Sequence, residues 1–219
     1  MIIGFAGKMQ VGKDLSAKIV QELVPNTWKI VKFADKLKDV VCLLIGCTRE
    51  QLEDPEFKEQ ELGEEWWYWE DQNTKKTYVY DDHRPLFSGR PEYPESMKII
   101  KPTPRFLLQY IGTDLFRHQL HVDTWVNATM ANYKPQKMSE YNPSQWIISD
   151  VRFPNEARAI KERGGILIQI VRDSAPISDH ISETALDGYD NFHYIVKNNG
   201  TIGDLKDQIE NILKIEDFL

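Results

Sequence analysis

The chain has 219 residues, of which 41% are hydrophobic, and a formal net charge of −7. This size suits one domain, or one domain with a sizeable insertion, and the acidic charge argues against a nucleic-acid polymer as partner because phosphate backbones select basic surfaces. No apolar run reaches bilayer length, and Cys42 and Cys47 suit neither a disulfide framework nor a zinc site, so we expect a cytoplasmic protein with no membrane partner and with reduced, largely buried thiols.

A glycine-rich loop follows an apolar strand at residues 2–6 and precedes a helical pattern. Residues 7–14 have the spacing G-x-x-x-x-G-K of a phosphate-binding P-loop, in which backbone N–H groups surround a polyphosphate and the lysine, Lys13, adds positive charge. Asp14 stands where a Ser or Thr normally binds Mg²⁺, and its carboxylate would repel phosphate unless a cation lies between them. The predicted nucleotide-binding residues of this region are Gly7, Lys8, Met9, Gln10, Val11, Gly12, Lys13, Asp14 and Leu15.

Residues 28–34 have the composition of a second strand, and residues 35–46 have the periodicity of a helix. Residues 48–102 are acidic and aromatic, and we predict that they form an insertion or substrate-covering subdomain between core segments 1–47 and 103–219. Within it, turn-forming residues predict a hairpin near residues 71–74. The aromatic run at residues 66–69 is expected to pack as a satellite core or as a dimer contact.

A further helix is predicted from Thr103 and Pro104, as a possible N-cap and first-turn residue. Its core face is marked by Leu107, Leu108, Ile111 and Leu115, and its opposite face by Arg105, Gln109, Thr113 and Arg117. A helix is expected near residue 123 and another over residues 155–163, followed by a capped final helix that includes Ile202 and Ile212.

Apolar strands are also predicted at residues 146–150, 166–171 and 194–196. Five strands separated by helices imply an α/β fold with a parallel, doubly wound sheet. Ligands gather at the carboxyl ends of such strands, where Asp150, Arg152 and Arg172 lie. Asp150 could hold Mg²⁺ through water and Arg152 could bind an acceptor phosphate; the alternative is that Asp150 caps a helix and Arg152 makes a surface ion pair.

The run Asp-Val-Arg-Phe-Pro-Asn-Glu at residues 150–156, together with Gly-Lys-Asp in the loop, resembles the bacteriophage deoxynucleoside monophosphate kinases. Segments at 103–117, 123–126 and 199–201 match as well, whereas residues 48–102 match poorly. The resemblance implies an adenylate-kinase-like P-loop NTPase fold. It also implies transfer of the γ-phosphoryl group of ATP to the 5′-phosphate of a deoxynucleotide.

The resemblance implies that Asp14 is usual at its position and that a threonine usually follows it. Here Leu15 follows, with Ser16 one residue further along. A hydroxyl moved by one helical residue turns about 100° away from the phosphates. Mg²⁺ is therefore expected to be held by Asp14 or Asp150, through water.

The resemblance also implies roles for other residues. The catalytic set is Lys13, Asp150, Arg152 and Arg172, and Asn199, Gly200 and Thr201 would pass near the adenine. The acceptor would meet Lys36, Lys38, Arg105, Gln109, Gly112, Thr113, Arg117, Trp125, Asp150, Arg152 and Glu156. His180 and Glu183 could order a lid or orient a phosphate-binding arginine. Trp125 could equally be a core residue, and the two lysines could be solvated.

Two other functions remain open from the sequence. A different small-molecule kinase on the same fold, such as a dephospho-coenzyme A kinase type, would share the loop but not the acceptor residues. A nucleotide-dependent switch would bind ATP or GTP without phosphorylating an acceptor, although no N-K-x-D motif of the GTPase kind is present. A homodimer is also left open.

Overall fold

The computed structural model describes residues 1–25, 28–79, 95–135, 144–175 and 181–219. The chain divides into two compact units: the first unit comprises Met1–Lys36 and Asp123–Leu219, and the second unit comprises Leu37–Val122. His180 lies outside the described residues.

The strands are β1 (Ile2–Ala6), β2 (Lys29–Val31), β3 (Tyr68–Asp71), β4 (Thr77–Val79), β5 (Met97–Ile100), β6 (Trp146–Val151), β7 (Ile166–Val171) and β8 (Tyr194–Lys197). The α-helices are α1 (Lys13–Leu23), α2 (Ala34–Ile45), α3 (Arg49–Glu53), α4 (Pro55–Glu59), α5 (Pro104–Gln109), α6 (Thr124–Met130), α7 (Pro154–Lys161), α8 (Ile181–Thr184) and α9 (Ile202–Ile215). A short 3₁₀ turn covers Glu64–Trp66, and a π-helix covers Tyr110–Leu120.

The sheet of the first unit has the order β2-β6-β1-β7-β8, with every neighbouring pair parallel. Side chains alternate along β1, so that Ile3 and Phe5 pack with α1 and α9 while Ile2 packs with α6 and α7 on the other face. The predicted parallel, doubly wound sheet is therefore confirmed. The fold is that of a P-loop kinase, and β1, the strand that leads into the glycine-rich loop, is central and fully buried.

The second unit contains a three-stranded antiparallel sheet of order β4-β3-β5. The predicted hairpin turn lies between β3 and β4, where the Asp71 carboxylate accepts a hydrogen bond from the N–H of Asn73 at 2.9 Å. The core of the unit is a cluster of Val41, Leu52, Leu107 and Ile111, against which Trp66 packs. Besides residues 48–102, this unit takes in most of α2, together with α5 and the π-helix.

The predicted period of the helix after Thr103 is wrong beyond Gln109, because the helix changes from α to π there. A π-helical bond joins residues five apart, as between the N–H of His121 and the carbonyl of Phe116, and this moves the following side chains around the axis. Leu115, predicted to be in the core, is 37% exposed, whereas Thr113 and Arg117, predicted on the polar face, are buried.

Cys42 and Cys47 are free thiols, as expected, with their sulfur atoms 3.7 Å apart. Both are partly buried and pack against the hydrophobic cluster of the second unit. In the part of the chain that the structure describes, no helix combines the length and the apolar character needed to cross a membrane.

Candidate active site at the glycine-rich loop

The loop between β1 and α1 depends on glycine at both of its ends. Gly7 has a φ of 141° and Gly12 a φ of 105°, which side-chain-bearing residues rarely adopt. A Cβ atom at Gly7 would lie 2.3 Å from the carbonyl oxygen of Ile170, and one at Gly12 would lie 2.5 Å from Nδ2 of Asn198. The two motif glycines thus let the loop fold tightly against the ends of β7 and β8.

Two buried polar side chains anchor the loop and the start of α1. Nδ2 of Asn198 donates a hydrogen bond to the carbonyl of Val11 at 2.8 Å, and Oγ of Ser16 donates one to the carbonyl of Gly12 at 3.0 Å. Ser16 is fully buried. Its hydroxyl therefore serves the helix backbone, and the expectation that it does not replace the missing P-loop hydroxyl stays a prediction.

The ammonium of Lys13 lies inside the loop. Nζ donates to the carbonyl oxygens of Gly7 at 2.7 Å and Lys8 at 2.6 Å, and the residue is only 8% exposed. Burial lowers the pKa of Lys13 to about 8, and the positive charge of Arg152 acts in the same direction. Lys13 is thus a preorganised cation that is still mostly charged at neutral pH.

Asp14 is held by two residues that the sequence analysis did not select. Its Oδ1 accepts a hydrogen bond from Oγ of Ser149 at 2.6 Å and pairs with Nζ of Lys32 at 2.7 Å. Burial alone would raise the pKa of the Asp14 carboxyl, but the contacts with Lys32 and Ser149 outweigh it and lower the pKa below its ordinary value. The carboxylate is ionised at neutral pH, and Lys32 offsets part of its repulsion of phosphate.

Asp150 caps the start of α2. Its two carboxylate oxygens accept hydrogen bonds from the N–H groups of Phe33 and Ala34, both at 2.9 Å. Desolvation raises the pKa of this carboxyl, while the two backbone hydrogen bonds oppose the rise. This is the capping role that the sequence left open as the alternative to metal binding, and the metal role stays a prediction.

Arg152 follows β6 and forms an ion pair with Glu183, a side chain that is 9% exposed. The backbone N–H groups of Arg152 and Phe153 both donate to Oε2 of Glu156, at 2.8 and 3.1 Å. Glu156 is 2% exposed and stabilises the first turn of α7, which holds the backbone of Arg152 in place. Direct contact between Glu156 and a substrate stays a prediction.

A pocket of about 320 Å³ lies beside the loop, within the first unit. Its charged lining residues are Lys8, Arg152, Arg172, Asp173, Glu183 and Asp187. Lys8 pairs with Asp187 at 3.6 Å, whereas Arg172 is exposed. The pocket therefore brings together cations from the loop after β1, from the end of β6 and from the end of β7.

Residues 199–201 follow β8 and make hydrogen bonds that stabilise the local structure. Asn199 exchanges two hydrogen bonds with Asp173, at 3.0 and 2.8 Å. Thr201 is the N-cap of α9, and its hydroxyl accepts a hydrogen bond from the N–H of Asp204 at 3.2 Å. A Cβ atom at Gly200 would lie 2.4 Å from Oδ2 of Asp204. These contacts fix the β8 loop next to the end of β7, and the adenine contact stays a prediction.

The predicted acceptor residues are divided between the two units. In the second unit, Lys38 pairs with Glu53 and Arg105 with Glu59. Gln109 is exposed, Gly112 packs against Leu37, and Thr113 and Arg117 are buried in the π-helix. In the first unit, Lys36 is exposed and Trp125 is 5% exposed, the burial of a core residue.

Two site residues that the sequence analysis did not select lie at the carboxyl ends of strands, where ligands were expected to gather. Lys32 directly follows β2 and Asn198 directly follows β8, at the carboxyl ends of parallel strands, as Arg152 and Arg172 do. Ser149 lies two residues before the end of β6. Applying the strand-end rule to every strand would have found Lys32 and Asn198. Glu183, which the resemblance implied could orient a phosphate-binding arginine, pairs with Arg152, but no sequence signal predicts its contact with the loop 174 residues away.

Comparisons with known proteins point to one family. The family model described as deoxynucleotide monophosphate kinase matches residues 95–209. A deoxynucleoside-5′-monophosphate kinase of Escherichia phage T5 is 24% identical over 99% of the chain and 97% of its own length. A deoxynucleotide monophosphate kinase of Enterobacteria phage T4 is 30% identical over 51% of the chain and 45% of its own length. An Acanthamoeba polyphaga mimivirus protein, provisionally given the same name, is 40% identical over 49% of the chain and 59% of its own length.

Proposed function

The chain belongs to the deoxynucleotide monophosphate kinase family, and on that premise we propose that it transfers the γ-phosphoryl group of ATP to the 5′-phosphate of a deoxynucleoside monophosphate. The observation that carries the proposal is the pocket in which Arg152 and Arg172 line the same space as the glycine-rich loop. Catalysis of phosphoryl transfer depends mainly on the positioning of the substrates and on positive charge around the transferring group. The products are ADP and a deoxynucleoside diphosphate.

Each cation has a distinct role in this proposal. The loop N–H groups and Lys13 hold the donor phosphates, because the loop presents backbone donors and a buried ammonium at one place. Arg152 and Arg172 neutralise charge on the acceptor phosphate and on the transferring group. No covalent enzyme intermediate is required, since positioning and charge supply the catalysis.

The residues present fit a magnesium ion through Asp14. Mg²⁺ binds protein through one or two carboxylates and keeps several waters alongside substrate phosphates. Asp14 is ionised and its side chain is 66% exposed; both of its contacts use Oδ1, which leaves Oδ2 available among the described residues. When bound, the ion would neutralise charge on the donor phosphates. Asp150 fits less well as a direct ligand because both of its oxygens accept backbone N–H groups.

Within the second unit, two predicted acceptor residues carry a carboxylate partner. Glu53 holds Lys38 and Glu59 holds Arg105, and the side chains of the two acids are 49% and 59% exposed. An ion pair that is exposed on both sides, such as Arg105 with Glu59, is worth about 1 kcal/mol or less, so an acceptor phosphate can displace Glu59 at small cost. We propose that Lys38 and Arg105 bind acceptor phosphate, with Gln109 available for a base edge.

The test is coupled ADP release from Mg-ATP against dGMP, dTMP, dCMP and dAMP, with the matching ribonucleotides as controls. We expect acceptor-dependent ADP release with at least one deoxynucleotide. Turnover of pantetheine-type acceptors with none of the deoxynucleotides would favour the dephospho-coenzyme A kinase alternative. Tight nucleotide binding with slow, acceptor-independent hydrolysis would favour a nucleotide-dependent switch.

A further inference from the structure

The carboxylate of Glu183 bridges the glycine-rich loop and Arg152. Oε2 accepts a hydrogen bond from the N–H of Met9 at 2.7 Å, and Oε1 pairs with the guanidinium of Arg152. The Glu183 side chain is 9% exposed, although it comes from the short helix α8, far along the chain from the loop. One acidic group thus takes two donors that belong to different strand ends.

A loop N–H together with an arginine is a donor set that recognises phosphate oxygens. We propose that Glu183 is an internal stand-in for a phosphate group: it positions Arg152 against the loop in the free protein and leaves when a polyphosphate binds. The inference rests on the proposed function, which assigns the loop and Arg152 to phosphate. Glu183 is therefore a positioning residue rather than a catalytic one.

The replacement of Glu183 by a bound phosphate group follows from charge and geometry. The Met9 N–H cannot serve Glu183 and a phosphate oxygen at full strength together, and two anions held by the same guanidinium in a half-buried pocket repel each other. Polyphosphate binding must therefore first break the Glu183 contacts, and the apparent affinity is lowered by the fraction of molecules in which they are formed. Removing the negative charge of Glu183 should raise that affinity.

The experiment measures binding of inorganic triphosphate and of ADP by calorimetry to the full chain and to its E183Q variant. The glutamine keeps an oxygen acceptor for the Met9 N–H but loses the ion pair with Arg152. We expect E183Q to bind both ligands about tenfold more tightly, the effect of losing one charge-assisted contact from the competing state. Adenosine, which carries no phosphate, should bind both proteins equally.

The matched control is E162Q, which removes one carboxylate charge from an exposed pair on the surface, Glu162 with Arg158 at 3.9 Å. It should leave triphosphate affinity unchanged. Equal or weaker triphosphate binding by E183Q would overturn the inference, because a side chain that only supported the fold, or that helped to hold phosphate, would give that result. If E183Q does not fold, E183D serves instead: its shorter side chain cannot reach both donors, and tighter binding is again expected.

This test and the test of the proposed function can fail separately. Triphosphate binding needs neither an acceptor nor a transfer step. A protein that phosphorylates no deoxynucleotide but binds triphosphate more tightly as E183Q would sink the proposed function and support the role of Glu183. A protein with the expected turnover and unchanged affinity in E183Q would do the reverse.

Discussion

Replacement of Lys13 by methionine tests the centre of the site. The substitution removes the ammonium but keeps an unbranched apolar stem of similar length, so it changes charge more than packing. In the structure the ammonium is held by the carbonyl oxygens of Gly7 and Lys8 and is only 8% exposed. Its position is therefore set before any ligand arrives.

The magnitude follows from the distance between charges. A cation about 4 Å from a phosphate oxygen is worth up to roughly 4 kcal/mol at an effective dielectric near 20. The burial of Lys13 limits screening by solvent, and its pKa of about 8 leaves most of the molecules charged at pH 7, so the upper end of that range applies. We expect kcat/KM to fall by about a thousandfold in Lys13→Met.

The assay is coupled ADP release with the best deoxynucleotide acceptor, together with thermal unfolding of the variant. Lys18→Met is the matched control, because Lys18 is an exposed residue of the same helix, and it should keep wild-type kinetics. A Lys13→Met protein with an unchanged Tm and kcat/KM within tenfold of wild type would refute the assignment of Lys13 to the donor phosphates.

Three further predictions concern pH and the backbone of the site. Because the pKa of Lys13 is about 8, its charge is present below that pH and is lost above it; ATP affinity measured by calorimetry should fall as pH rises through 8, and a flat profile from 7 to 9 would contradict this. Asp150→Asn replaces one acceptor of a backbone N–H with a donor and should lower the free energy of unfolding in urea by about 1–3 kcal/mol, whereas wild-type stability would show that the cap is dispensable. Gly7→Ala should abolish nucleotide binding, since its Cβ would strike the Ile170 carbonyl; Gly188→Ala, also at positive φ but with nothing within 4 Å, should cost only about 1–2 kcal/mol and keep binding.

The sheet could be predicted because its strands carry their own signals. Buried apolar runs such as residues 146–150 and 166–171 end at a polar residue or directly before one, and the pattern of strand and helix allows few topologies. The conformation of the loop glycines could also be predicted, since Gly7 and Gly12 both have the positive φ that the motif requires. Local chemistry was enough for these features.

The remaining features depend on contacts that local chemistry does not encode. Nothing in residues 110–120 distinguishes a π-helix from an α-helix, so the sequence pattern predicts Thr113 and Arg117 on the polar face, whereas both are buried. Asp14 was expected to need a cation, but its partner Lys32 comes from another strand end. The capping role of Asp150 depends on its distance to the start of α2, which the sequence alone does not give.

The pairing of β1 has a consequence for the order in which the protein folds. Ile2 pairs with Trp146 and Ile3 with Ile166, so both neighbours of the strand are synthesised long after it. Closing so long a stretch of chain costs entropy before any strand contact repays it. The cluster of Val41 and Leu107 needs only residues within the second unit. On the ribosome, that unit can become compact early, while the nucleotide loop is completed only after β8 and Asn198 have emerged.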